Sequence, residues 1–141
     1  MSTLRTNALE GVDAKNSMTI VAGAGNVTTT NVQEGLCKGW INYKGTSTNA
    51  VRDSLNNSSV TDNGTGDYQF NHTNNFNNAV YSGSSDVAET GANGSISWFA
   101  SADDITTSDY EILAGLVADT SGGITARDTA KNDVNFFGDL A

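Results

Sequence analysis

From Gly35 to Asn71 the chain reads GLCKGWINYKGTSTNAVRDSLNNSSVTDNGTGDYQFN, a run with no apolar face long enough for a helix. Cys37, Gly39, Ile41 and Tyr43 alternate with Lys38, Trp40, Asn42 and Lys44, and Tyr68 and Phe70 alternate with Asp67, Gln69 and Asn71. Period two marks a strand with one face buried and one wet. Before the second alternation lies Asp62-Asn63-Gly64-Thr65-Gly66. These residue types tolerate positive φ, so the cluster reverses the chain at little cost. The segment predicts three short strands joined by polar turns, built to present a surface.

A chain of 141 residues is long enough for one core and an arm. Only 37% of the residues are hydrophobic, and Gly occurs 15 times while Pro is absent. Turns are therefore of the kind that needs positive φ. The formal charge is −9, and seven basic residues are scattered from Arg5 to Lys131 without a run. Phosphate neutralisation needs clustered Lys and Arg, so neither nucleic acid nor an anionic membrane surface is an expected partner. Cys37 is the single cysteine, which excludes an intrachain disulfide and a Cys-based zinc site, and its strand position predicts a buried inert thiol. No apolar run reaches the ~18 residues of a membrane helix. Met1-Ser-Thr-Leu-Arg lacks a signal-peptide core, so synthesis in a cytoplasm is expected and the Asn-x-Ser/Thr sequons are accidents of composition.

Two regions differ in apolar content. Residues 1–34 offer Leu4, Leu9, Val12, Met18, Ile20 and Val21 among Gly, Asn and Thr. Ordering costs ~1–2 kcal/mol per residue, which so few apolar side chains cannot offset at ~25 cal/mol per Å². This arm is expected to order only against a neighbour such as another copy of the chain. Residues 35–141 are strand-dense, with candidates at 37–44, 50–55, 68–72, 79–82, 95–101, 111–118 and 134–137. The expected fold is all-β: an antiparallel β-sandwich of about seven strands preceded by an extended N-terminal oligomerisation and attachment arm. Residues 102–105 have room for one helical turn at most. Residues 111–118 have the length of a short helix, but the interior Gly115 and the lack of a polar period favour a strand.

No reactive constellation stands out. His72 is the lone histidine; it continues the inward series of Tyr68 and Phe70 and reads as structural. It has no nucleophile elbow beside it, and no phosphate-binding glycine motif is present. Asp62 and Asp67, or Asp103, Asp104 and Asp109, offer hard oxygen ligands, yet neither group follows a calcium-loop pattern, and solvated turn carboxylates are the expected reading. No metal or cofactor is expected. Trp40 lies opposite the apolar face of its strand and Trp98 adjoins Phe99. An outward indole beside Asn and Asp is suited to stacking on a sugar ring, while cover by a second sheet or a subunit is the competing reading.

The segment from Gly35 to Asn71, taken with MSTLRTNALEG at the start and VNFFGDLA at the end, resembles a family of small virion structural proteins of tailed bacteriophages, especially those of marine bacteria. The pattern is carried by Trp40-Ile41-Asn42, Gly45-Thr46, Arg52-Asp53-Ser54 and Asp62 to Tyr68, and the likeness spans nearly the whole chain. The resemblance implies a non-enzymatic β-rich virion component, commonly a homotrimer, with an attachment arm and a distal domain. It carries over no catalytic residue. His72 stands where the family often has an apolar residue, and Gly39 where Ala is frequent, which implies a looser inward face. A tail-fibre-like protein on the virion surface, serving host attachment, is the leading expectation. Its partners are other virion proteins, with trimer contacts through Leu4, Leu9, Val12, Met18, Ile20 and Val21, and a host surface glycan at Trp40 or Trp98. The alternatives are a capsid decoration or cement protein clamping coat subunits and a carbohydrate-binding module.

Overall fold

The computed structural model describes residues 19–22, 28–31, 35–88, 97–117 and 124–141. Every element among them is a strand. The chain divides into two compact units, Met1–Leu36 and Cys37–Ala141. In the first, β1 (Thr19–Ala22) and β2 (Thr28–Asn31) pair antiparallel, with Ile20 opposite Thr30 and Val21 opposite Thr29. Leu4, Leu9, Val12 and Met18 lie outside the described residues.

The second unit has two antiparallel sheets, in accord with the expected sandwich. One sheet has four strands in the order β4-β3-β11-β7, formed by β3 (Cys37–Lys44), β4 (Ala50–Leu55), β7 (Ser82–Ala88) and β11 (Lys131–Phe137). The other has five: β5 (Asn57–Gly64), β6 (Asp67–His72), β8 (Ser97–Ile105), β9 (Asp109–Val117) and β10 (Ile124–Ala126). Here β9 is shared. One edge pairs with β8 along its length, while the other takes β6 at 109–113 and β10 at 115–117. In the gap between β6 and β10, Ala114 N donates to Gly66 O at 2.7 Å and Ala114 O accepts from Arg127 N at 3.0 Å. Both backbone groups of Ala114 are thus bonded at the branch. Gly66 has φ +72°, and a Cβ there would collide with Ala114 O and the Arg127 backbone, so glycine is required twice over.

Passage from one sheet to the other takes a single residue. Asn56, between β4 and β5, has φ +55°. Asn tolerates this left-handed backbone because its short amide bonds locally. Here the amide ties the corner to the 73–74 loop, accepting from Asn74 N at 2.7 Å and donating to Asn74 O at 3.1 Å.

The core lies between the sheets and is aromatic. Ile41, Tyr43, Val134 and Phe136 of one sheet meet Tyr68, Phe70, Tyr110, Ile112 and Ala114 of the other, with Phe76 and Tyr81 closing one end. Tyr43 is edge-on to Tyr68 and Phe70, and Phe136 is edge-on to Tyr110, the arrangement ring quadrupoles favour. Gly39 is no gap. A Cβ there would come 3.1 Å from the Phe136 ring and 3.2 Å from Leu55 O, so the looser packing that the resemblance implies at this position is absent.

Three outer strands are interrupted, while β7 keeps an unbroken register with β11. β4, β5 and β8 each carry a register shift, at Arg52, at both ends of β5 and between Ala102 and Ile105. Bulged edges twist backbone groups away from an incoming strand.

Nine strands among the described residues of this unit exceed the seven expected. β3 and β4 have the expected bounds, and residues 109–117 are a strand and not a helix. β5 occupies what reads as a polar turn, β10 adds a short strand, and 102–105 is bulged strand. Residues 79–82 do not form the expected strand; β7 begins where that segment ends. Cys37 is half-buried, its thiol donating to Gly39 O at 3.0 Å, because it stands at the strand end where the register with Phe137 shifts.

Candidate functional site

Alternation along β3 turns Gly39, Ile41 and Tyr43 inward, which forces Trp40 and Asn42 to the outer face of the four-stranded sheet. Trp40 is half-buried there. Register places Leu55 of β4 on one side of it and Asn135 of β11 on the other. Phe137 shares the outward face with Asn135, since both follow the regular pairing with β7. Leu55 is 49% exposed and Phe137 36%, so this face offers three large apolar side chains to water.

A polar chain runs beside them. Arg52, the extra residue of the β4 bulge, donates from Nη1 to Asn42 Oδ1 at 3.1 Å and from Nη2 to Ala130 O at 2.7 Å. Asn42 Nδ2 in turn donates to Asp133 Oδ1, and Lys131 Nζ meets Asp133 Oδ2. The Asp133 carboxylate raises the Lys131 pKa by hydrogen bond and charge. The bulge frees Arg52 from the ladder, and the register of three strands then aligns Arg52, Asn42, Asp133 and Lys131. Apolar platform and directed donors lie side by side, which is the equipment for holding a ligand without altering it.

The outer face of the five-stranded sheet is different in kind. Around Asp67, Gln69 and Asn71 of β6 it carries Thr61 of β5 and Glu111 of β9. Asn71 Nδ2 donates to Thr61 Oγ1 at 3.2 Å, Gln69 Nε2 to Asn71 Oδ1 at 3.2 Å, and Asn63 Nδ2 to Glu111 Oε1 at 2.6 Å. Asp67 raises the pKa of Glu111, chiefly through a hydrogen bond between the two carboxyl groups.

His72 is in the core, 6% exposed and edge-on to Phe76, Tyr81 and Phe136. Its Nε2 is 3.0 Å from Tyr81 Oη, and Tyr81 Oη donates to Asp109 O at 2.8 Å. Nε2 and the Asp109 carbonyl therefore share the Tyr81 hydroxyl, while Nδ1 has no hydrogen-bond partner. Burial lowers the His72 pKa, against smaller upward pulls from the Asp109 carboxylate and the Asn56 carbonyl.

The acidic groups considered for calcium are dispersed into local bonds. Asp62 accepts from Asn49 Nδ2 and Gly64 N, Asp67 faces Glu111, and Asp109 accepts from Thr106 and Ser108 hydroxyls. Among the described residues, no three acidic, Cys or His side chains are grouped for a metal. Trp98 is on β8 opposite Leu116, with its side chain outside the described residues, as are those of Ile20 and Val21 on β1. The Arg52–Asn42–Asp133–Lys131 chain escapes a sequence reading because its members are separated by up to 91 positions and meet only through strand register. No protein-family model, curated protein or solved structure matches the chain.

Proposed function

We propose that the protein is a non-enzymatic virion structural component of a tailed phage, tail-fibre-like, which displays its β-sandwich on the particle surface for host attachment through the Trp40 face. The carrying observation is the outward row of Trp40, Leu55 and Phe137 alongside Arg52, Asn42, Asp133 and Lys131. A sugar of a host surface glycan suits this pairing, with its ring on the indole and its hydroxyls on the polar chain. The sequence resemblance supports the virion setting, and burial of the one histidine against Tyr81 supports a role without catalysis. The bulged edges of β4, β5 and β8 disfavour strand addition at those edges, and residues 1–34 are the proposed trimer contact.

Binding of the full chain to an array of host surface glycans tests the reading, with Trp40→Ala as the comparison. Binding that falls about tenfold or more in the variant, a loss of ~1.4 kcal/mol, is expected. Binding unchanged by Trp40→Ala overturns it. Copy number in purified particles separates a fibre from the second reading, a capsid decoration protein clamping coat subunits with this same face.

A further inference from the structure

The four-stranded sheet has two edges of opposite kind. β4 is broken by the Arg52 bulge, whereas β7 pairs with β11 at all seven of its positions, from Ser82 opposite Phe137 to Ala88 opposite Lys131, without a shift. Of the remaining outer strands, β5 and β8 are bulged and β10 is three residues long. An antiparallel strand turns every second N–H and C=O away from its partner, so the free side of β7 offers about three donors and three acceptors. Among the described residues β11 is the one strand paired with it. Pro, Lys and inward-pointing charge, the devices that guard an edge, are missing from Ser82-Gly83-Ser84-Ser85-Asp86-Val87-Ala88, where Asp86 is exposed.

The strand is complementary to itself. Alternation puts Gly83, Ser85 and Val87 on the core side and Ser82, Ser84 and Asp86 on the wet side. Turned antiparallel about a two-fold axis at Ser85, β7 overlaps a second β7 over its whole length. Gly83 then stands opposite Val87 of the second copy, small against large. Ser84 stands opposite Asp86 of the second copy, a hydroxyl donor against a carboxylate, and symmetry makes that pair twice. The two Asp86 side chains are not directly opposed.

We propose that the β7 edge is a pairing surface for a second copy of this chain, joined β7 to β7 in antiparallel register about Ser85. The product is one continuous sheet in the order β4-β3-β11-β7-β7-β11-β3-β4. An axis normal to the sheet keeps both outer faces on the same side, with the two Trp40 residues five strand spacings, roughly 24 Å, apart. The pairing does not depend on glycan binding at Trp40, but it doubles the valency of that face. Copies of formal charge −9 repel each other, so the pairing tightens as salt screens them.

Sedimentation equilibrium of the full chain over a range of concentration and salt tests this. The smallest species is expected to double in mass, monomer to dimer, or trimer to hexamer where residues 1–34 hold a trimer, and to do so at lower concentration as salt rises. A trimer that never doubles overturns the β7 pairing and leaves the trimer contact standing, while a monomer that doubles does the reverse. Variants at the exposed Ser84 and Asp86 then test the register. Ser84→Glu sets a carboxylate against Asp86 of the second copy at two points and is expected to weaken the pairing about fivefold or more. Ser84→Lys is expected to tighten it by a similar factor, and Asp86→Lys added to Ser84→Glu to restore it. Absence of doubling throughout the range overturns the proposal, as does doubling that the three variants leave unchanged or that both Ser84 variants weaken.

Discussion

The two ends of the core solve one problem differently. At one end, Tyr43 and Tyr68 share the interior with Thr129 and Asn132, and the polar groups are bonded: Thr129 Oγ1 donates to Asn132 Oδ1 at 2.7 Å, Asn132 Nδ2 reaches Tyr43 O and Thr129 O, and Tyr68 Oη donates to Asp128 at 3.0 Å. At the other end, Phe136, Tyr110, Phe76, Tyr81 and His72 pack ring on ring, and the imidazole keeps one nitrogen unpartnered. Burial of a polar atom costs little when it is bonded and more when it is not. The first end therefore gains specificity from its network, and the second depends on dispersion and tight apolar burial.

The contrast is broken most directly at Phe136, which is fully buried and contacts both Tyr110 and His72. Phe136→Ala is expected to destabilise the sandwich by about 3–5 kcal/mol, read from denaturant unfolding. Asn132→Ala removes the acceptor of Thr129 Oγ1 and is expected to cost about 1–3 kcal/mol. A cost at Asn132 equal to that at Phe136 erases the distinction between the ends.

The smallest effect is a pH dependence at His72. Its folded pKa lies below the ordinary value of 6.5, so in the window between the two the unfolded chain binds more protons. The stability that the neutral ring contributes is full above pH 6.5 and is lost as the pH falls from there toward the folded value. The stability advantage of the native protein over His72→Phe should accordingly shrink as pH falls through this window. An advantage that grows there reverses the reading of His72 as a neutral core residue.

What was legible in the chain follows from where apolar residues alternate. β3 and β4 were readable to the residue, and the inward place of His72 and the outward place of Trp40 followed from period two. β5 was not, because Val60 is its one apolar residue and its entrance, Asn56, looks like an ordinary turn. β7 was misplaced since Val80 suggested a strand but is 87% exposed, while the true strand turns only Val87 fully inward and admits the Tyr110 ring against Gly83. Such strands are held by pairing with a partner already in place, a property of neighbours and not of the segment. The Trp40 platform was half visible: the indole could be read, and its polar flank depended on a bulge that no local pattern announces.

The kinked rims of β4, β5 and β8 bear on life in a crowd. Any assembly that sets many identical sandwiches shoulder to shoulder raises their local concentration to a level at which open ladders zip into fibres. At these three rims the kinks disfavour a stranger's backbone, which leaves the unbroken ladder of β7 as the edge where neighbouring copies could meet.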